Sequence, residues 1–546
     1  MESTQVVIIG GGATGAGILW DLSLRGIPAL LLEQGDIANG ATGRCHGLLH
    51  SGGRYAVKDA HAAAECLKEN LTLKRIAAHC VEDVGGLFVQ CAQDDAAFFD
   101  QWDRAADATG IEHKFLTADE THALEPNLSD DVVGAFTCPD AHVDVFRLVL
   151  ANLEAAVARG GHYATYSKVT ALDRSDKGIC GVHFTNTRSG EEHHVRCEVV
   201  VNASGGWAEA TAALAGIHVP VRCDKGALLV INHRLASHVI NRCRKPGDGD
   251  ILVPAGPVSI LGTSSMQVPG PEGLTIANEE IAALLRVGAE MVPELADVRL
   301  LRAFCGVRPL YVPPTATGSG GREISRGYAL IDHENNDGVR GFVSIVGGKL
   351  TTYRRMAEAV SDCVAAKLGV QGECKTATTL LRPNASTHHH KRADLLPWAA
   401  EEKLVNRLGP NADQIFADIK RRPELAEIVC ECELVTRAEL EYSFSQDNPL
   451  SAQTINDVGR RTRLGFGPCQ GTYCGYKAML AGYQSGKWSA EQAAREFATY
   501  LAERWKGQAF VQQGKQAEQF DIGHELYATA IASTEKQGGK DANSIL

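Results

Sequence analysis

The run VVIIGGGATGAGILWDLSLRG at residues 6–26 constrains the fold more than any other stretch of this chain. Val6 to Ile9 is a short apolar run with β-branched residues, which predicts a buried strand. The residues after Gly12 have helical spacing as far as Gly26, and a second apolar run, PALLLEQ, follows. Strand, glycine turn, helix and strand together open a doubly wound α/β sheet. Gly10, Gly12 and Gly15 form G-x-G-x-x-G in that turn, and Glu33 ends the second strand. Glycines so placed let the backbone approach a pyrophosphate at the helix N-terminus, while the acidic residue accepts hydrogen bonds from a ribose hydroxyl pair. The pattern predicts a dinucleotide site, and Glu33 disfavours the 2'-phosphate of NADP.

Two later apolar runs, CEVVVNASGG at 197–206 and GFVSIVGGK at 341–349, are expected to return to this first sheet. Between them GALLVINH and SILGTSS have strand character without intervening helices, which predicts a second, largely antiparallel sheet over the cofactor. At 546 residues the chain exceeds the ~250–300 at which a single core stops growing. The expected division is an oxidoreductase region over 1–370 with interleaved cofactor-binding and substrate subdomains, a polar linker with short helices over 371–426, a cysteine-bearing domain over 427–485, and a C-terminal helix and tail over 486–546. In that helix Ser489 is the predicted N-cap with Gln492 at its third position, and Phe497, Leu501 and Trp505 share one face. The tail from Thr534 is expected to carry no fixed structure.

Acidic residues outnumber basic ones, 66 to 54, so the overall balance attracts neither nucleic acid nor anionic lipid, and any phosphate site must be local. No run of about 18 apolar residues predicts a membrane span. Met1 leads almost directly into the glycine loop without a signal peptide, and sixteen cysteines accompany it, so a reducing cytoplasm is the expected compartment. Four of those cysteines stand apart: Cys430-x-Cys432, 36 intervening residues, then Cys469-x4-Cys474. Four thiolates in two close pairs complete tetrahedral coordination of two irons or one zinc; four unligated core thiols are the remaining reading. Three adjacent histidines in THHHK at 387–391 cannot easily converge on one ion and read as a solvated loop.

The early glycine loop, the later VVNASGG and the closing VGGKLTTYR look like the FAD-binding layout of glutathione-reductase-type flavoproteins. More specifically, GGGATGAGILWDLSLRG, DIANGATGRCHGLLHSGGRYA, GVRPL at 306–310, SRGYALID and GGKLTTYRRMAE occur in that order over about residues 4–368. They resemble the FAD-dependent glycerol-3-phosphate dehydrogenase family, and with IVCECE and CQGTYC downstream the likeness is to the A subunit of its anaerobic type. The resemblance implies oxidation of sn-glycerol 3-phosphate to dihydroxyacetone phosphate with non-covalent FAD.

In this sequence the resemblance implies His50, Arg308 and Lys349 as catalytic groups, with Arg54, Tyr55, Arg308 and Arg326 around the substrate. Thr42, Gly43, Gly348, Lys349, Leu350 and Thr351 join Gly10, Gly12, Gly15 and Glu33 beside the cofactor, with the amides of Gly348, Leu350 and Thr351 facing the flavin. Guanidinium groups suit a phosphate because they bind it in bidentate fashion. His50 is the first choice for the base, since its ordinary pKa range fits proton transfer near neutrality. Where aerobic members carry a serine-rich run, this chain has Arg44, Cys45, His46 and Gly47, and Cys45 is expected to pack rather than to bond a flavin.

Cys430, Cys432, Cys469 and Cys474 resemble the ligands of the small helical [2Fe-2S] domain of bacterioferritin-associated ferredoxin, although the last pair is spaced by four residues instead of two. Gly465, Gly467, Gly471 and Gly475 are expected to turn amides towards the sulfurs. Such a relay would pass electrons to partner subunits and a quinone pool. The resembled complex has three kinds of subunit, one anchoring this chain peripherally at the cytoplasmic face of the cell inner membrane, and FMN is reported among its cofactors. An amine or imino-acid dehydrogenase of the hydroxyproline or sarcosine type is the alternative enzyme. A non-catalytic redox scaffold subunit is the alternative from another class.

Overall fold

The computed structural model describes residues 2–176, 178–312, 327–382, 394–446 and 448–535, with side chains to 529. Arg326, the THHHK run and the end of the tail lie outside the described residues.

Val6–Ile9 is a central strand of a six-stranded sheet ordered Tyr328–Asp332, Phe342–Gly347, Val199–Asn202, Val6–Ile9, Ala29–Leu32, His162–Ala164. All pairs are parallel except the edge pair Tyr328–Asp332 with Phe342–Gly347. Both late runs therefore do return beside the first strand. The register sets Ile9 opposite Leu32 and Asn202, so the strand ends and the loops that follow them gather at one edge. Helices Ala13–Leu24, Val145–Val157 and Tyr353–Leu368 share a core of side chains such as Ile18, Leu19, Leu153 and Val360 against the sheet, all of them fully buried. Parallel strands buried on both faces read as continuous apolar runs, which is why VVII, ALLL and VVVN show no alternation.

A nine-stranded sheet forms the second layer. Its longest pair is Val221–Ile231 against Leu300–Tyr311, antiparallel, with Gly226 opposite Gly306 and Asp224 opposite Arg308. Among the described residues, its one parallel pair is Gly86–Cys91 with Val239–Arg242. A separate antiparallel sheet of three strands comprises Ser167–Ser175, Gly178–Asn186 and Glu192–Arg196.

Within the stretch read as a linker, Trp398–Leu408 and Ala412–Arg421 are helices, and Leu404, Ile415, Phe416 and Ile419 make a core with Leu425 and Ala438. The helix Ala490–Gln508 carries the expected capping box between Ser489 and Gln492. Its Phe497, Tyr500 and Leu501 pack in one cluster with Cys430 and Cys474, so no structural break follows residue 485. This C-terminal part is fastened to the first sheet by charge: Asp36, after the second strand, pairs with Arg460 at 3.0 Å and Arg461 at 2.9 Å, and Asp144 pairs with Arg463 at 3.0 Å. No helix among the described residues is long and apolar enough to cross a membrane.

Candidate functional site

A cavity of about 690 Å³ opens where the strand ends of the first sheet meet the second layer. Gly10, Gly12, Glu33 and Thr42 line one part of it; His46, His50, Tyr55, Thr263, Arg308, Gly348, Lys349 and Leu350 line the rest.

The glycine loop is shaped by sterics. A β-carbon on Gly15 would sit 1.9 Å from the carbonyl oxygen of Gly10, so only glycine lets the helix start this close to the strand. Gly12 caps that helix without a side-chain hydrogen bond, while the Ala13 N–H donates to Thr42 Oγ1 at 3.1 Å. Uncapped amides at a helix N-terminus are a ready anion site. Glu33 accepts from Gly11 N–H at 2.7 Å and from Gly35 N–H at 2.9 Å, leaving each carboxylate oxygen further acceptor capacity. Burial raises the Glu33 pKa, and the two N–H bonds only partly offset it.

Opposite the loop, Arg308 stands on the strand Leu300–Tyr311, where the register brings it to Asp224 on the neighbouring strand. Its Nη1 lies 2.7 Å from Asp224 Oδ2 and 3.2 Å from the Ser264 carbonyl, and Nη2 also bonds Thr263 Oγ1. Gly226 makes room for it: a β-carbon there would lie 2.6 Å from Nη2. The guanidinium is thus held in one orientation at the cavity wall.

His50 follows the strand Leu48–Leu49, and its N–H donates to Thr351 Oγ1 at 3.1 Å. The next residues are fixed as firmly: Ser51 N–H donates to buried Asp140 at 2.6 Å, and the indole of Trp102 donates to the Gly53 carbonyl at 2.9 Å. The Tyr55 ring stands edge-on to His50 at 5.6 Å, and the Lys349 ammonium lies 4.9 Å over the Tyr55 ring. Beside them, burial pushes the His46 imidazole down to about 3, with the charges of Arg308 and Arg54 adding to the effect. His46 is therefore neutral, and because Leu48 N–H donates to its Nδ1 at 3.1 Å, the ring proton is on Nε2.

The structure thus gathers most of the residues expected from sequence, with specific exceptions. Arg54 is absent from the cavity lining; its guanidinium sits 3.4 Å from Asp250 and bonds the Arg242 carbonyl. Gly43 is not in the lining either and serves packing, since a β-carbon there would lie 2.2 Å from the Ala38 carbonyl oxygen. The Gly348 N–H is directed to the Gly327 carbonyl at 2.9 Å rather than into the cavity, and Thr351 stands behind the wall, holding His50. Arg44, His46 and Thr263 line the cavity but carried no expected role. The position of Arg44 and His46 just after Thr42 in one loop was the available signal. Burial raises the Cys45 thiol to about 11, and its sulfur takes the Gly47 N–H at 3.4 Å, in keeping with a packing role.

Far along the chain, the four cysteines meet. Their thiols interact in the order Cys430, Cys474, Cys469, Cys432, each near enough to shift the ionisation of the next. Cys474 lowers Cys430 and Cys469, while Cys474 is itself driven strongly up and burial raises Cys432. The amides of Gly465 and Glu433 favour the Cys430 thiolate, and those of Gly471 and Tyr473 the Cys469 thiolate. Gly465 and Gly471, two of the four glycines expected to turn amides towards sulfur, influence Cys430 and Cys469 respectively. Gly467 instead allows close approach, since a β-carbon there would lie 2.3 Å from Cys432 Cβ. Such a quartet is a donor set suited to thiolate-bound metal.

Comparison with known proteins agrees with this geometry. The family model for FAD dependent oxidoreductases matches residues 5–354. The A subunit of the anaerobic glycerol-3-phosphate dehydrogenase of Escherichia coli (strain K12) is 41% identical over 510 residues, 93% of each chain. Its namesake in Haemophilus influenzae is 37% identical over 554 residues, covering 100% of this chain and 97% of the relative. This chain belongs to the family of anaerobic glycerol-3-phosphate dehydrogenase A subunits. The fold of this family member is shared with the glycerol-3-phosphate dehydrogenase of Bacillus halodurans, solved in complex with FAD: TM-score 0.73, 21% identity, 94% and 96% of the two chains covered.

Proposed function

We propose that this chain oxidises sn-glycerol 3-phosphate to dihydroxyacetone phosphate in the cavity and hands the electrons on through a [2Fe-2S] cluster on Cys430, Cys432, Cys469 and Cys474. The observation that carries the reading is one cavity lined both by a glycine-built helix start with Glu33 and by Arg308, Lys349, His50 and Tyr55. FAD fits the first part: Glu33 takes the ribose hydroxyls, the Gly10–Gly15 turn takes the pyrophosphate, and the group when bound supplies a hydride acceptor.

The chain's own residues would do the rest. Arg308, fixed by Asp224 and the Ser264 carbonyl, meets the substrate phosphate with its orientation already set, which spares ordering entropy on binding. Lys349 adds a second cation, and Arg44 a third at the same wall. His50, whose backbone is held by Thr351 and whose ring is edged by Tyr55, would take the hydroxyl proton. Neutral His46 offers Nε2–H as a donor without adding charge. Arg54 and Arg326 are carried only by the family resemblance.

Electron transfer favours iron over zinc on the quartet, because zinc carries no electrons. Tyr473, between Cys469 and Cys474, is 74% exposed, which supports an electron exit at this surface. Partner subunits, one of them a membrane anchor, would carry the electrons on to a quinone, with this chain at the cytoplasmic face; FMN, if the complex holds it, belongs with those partners.

Anaerobic addition of sn-glycerol 3-phosphate to the purified chain should bleach its flavin. Arg308→Ala should cut the rate by about 100-fold or more with FAD retained, the scale of losing one fixed charge-stabilising group. Bleaching by proline or sarcosine but not by glycerol 3-phosphate would refute the substrate. One zinc per chain with no labile sulfide, instead of two irons, would refute the cluster.

A further inference from the structure

We propose that Asp173, His183 and His194 form a binding site for a divalent transition-metal ion of the zinc type, on the three-stranded sheet and separate from both the cavity and the cysteine quartet. One ligand atom from each of the three lies within 4.8 Å of the others. Asp173 Oδ1 is 3.0 Å from His183 Nε2, Asp173 Oδ2 is 2.8 Å from His194 Nε2, and the two imidazoles are 4.5 Å apart between centroids.

The sheet builds this convergence. His183 is directly opposite His194 on the neighbouring strand, so their side chains leave the same face. Asp173 pairs with Gly181, two residues from His183 and therefore on that face as well. Register shifts at Val169/Ala171 and Asp173/Arg174 bulge the strand on either side of this point, and a bulge re-aims the side chains beside it. At the centre is Gly181. A β-carbon there would lie 2.7 Å from Asp173 Oδ2 and 2.7 Å from His194 Nε2, so glycine keeps open the space between two of the ligand atoms.

Chemistry selects the ion. Two imidazoles and a carboxylate suit zinc and its neighbours better than magnesium or calcium, which prefer all-oxygen shells. Ligand atoms about 2.0–2.1 Å from a tetrahedral zinc are about 3.3 Å from one another, so the present contacts need to open by only a few tenths of an ångström. The side chains can do this, being 42% (Asp173), 46% (His183) and 40% (His194) exposed. The same exposure leaves the fourth position to water or an outside ligand. An ion here would tie Ser167–Ser175, Gly178–Asn186 and Glu192–Arg196 together, and the first of these strands begins at the cavity wall with Ser167, Lys168, Val169 and Thr170.

The test uses the full-length chain with its cofactors in place, cleared of loosely held metal on a chelating resin. Equilibrium dialysis against Zn2+ should leave wild type with one zinc ion more per chain than the His183→Gln/His194→Gln variant. Co2+ should give visible bands without the near-ultraviolet thiolate transition that would mark the cysteines. Gly181→Ala, which keeps all three ligands, should weaken binding by at least the ~10-fold seen when a supporting partner of a metal site is lost. Equal zinc content and affinity in all three proteins, or a cobalt spectrum with thiolate character alone, overturns the proposal.

Discussion

Replacing Asp36 by alanine tests how the cysteine-bearing part is held against the cofactor-binding sheet. The Asp36 side chain is 1% exposed and receives Arg461 Nη1 at 2.9 Å, Arg461 Nη2 at 3.0 Å and Arg460 Nη1 at 3.0 Å, across more than 400 residues of chain. Removing one partner of a buried pair costs about 3–5 kcal/mol, because the other charge stays buried without compensation. Arg460 keeps Asp457 at 3.2 Å, and Arg461 keeps the carbonyls of Asp457 and Leu450, so the lower end, about 3 kcal/mol, is expected. Glu496→Ala is the control: it breaks another contact between the two parts, to Arg188, whose side chain is 38% exposed, and should cost under about 1 kcal/mol. Urea unfolding, followed by circular dichroism and by flavin release, reads both values. The pH dependence supplies a second check. Burial works to raise the Asp36 pKa, but Arg461 and Arg460 outweigh it and hold the carboxyl below its ordinary range. Its stabilisation is therefore complete above about pH 3.9 and lost as pH falls through the lower folded value, so the gap between wild type and variant must narrow in acid. A variant within about 1 kcal/mol of wild type at pH 7, or a gap unchanged in acid, refutes the reasoning.

Gly15→Ala should lower FAD content to near zero in otherwise folded protein, since its β-carbon would stand 1.9 Å from the Gly10 carbonyl oxygen; a normal flavin spectrum would contradict the steric argument. Gly471→Ala should lose bound metal and keep FAD, because its β-carbon would meet the Tyr500 hydroxyl at 1.7 Å and the residue has φ +84°; metal analysis against flavin absorbance reads the split. His46, held down to about 3 mainly by burial, takes up its proton in the unfolded chain near pH 6.5 but not in the folded one. Stability should consequently fall as pH drops from about 6.5 towards 3, by up to a few kcal/mol, and His46→Gln should flatten that slope in urea midpoints measured at successive pH values.

What the sequence made legible follows from how local each cause is. The Gly10–Gly15 turn and Glu33 were readable because close approach to Gly10 and acceptance of the Gly11 amide are requirements met within one strand–helix–strand unit. Arg308 was readable only through its motif; its restraint by Asp224 depends on a strand register set 84 residues apart. Arg54 could not be separated from Arg308 by residue type, and only the tertiary placement of Asp250 takes it away from the cavity. The pairing of Cys430 and Cys432 with Cys469 and Cys474 showed in their spacing, but the order in which the sulfurs influence one another did not. Asp173, His183 and His194 left no pattern, since their meeting depends on two strand pairings and the bulges between them.

Asp144 has two duties at once: it caps the helix Val145–Val157, accepting from Phe146 N–H and Arg147 N–H at 3.1 Å, and it pairs with Arg463 some three hundred residues later. With Asp36 it makes the first sheet an unfinished object until the last quarter of the chain has been synthesised. A ribosome that has released only the oxidoreductase region has exposed two carboxylates built to be covered, whose counter-ions are not yet made. The oxidoreductase region of this protein is accordingly expected to gain its last ion pairs, and the stability they add, only when the C-terminus arrives.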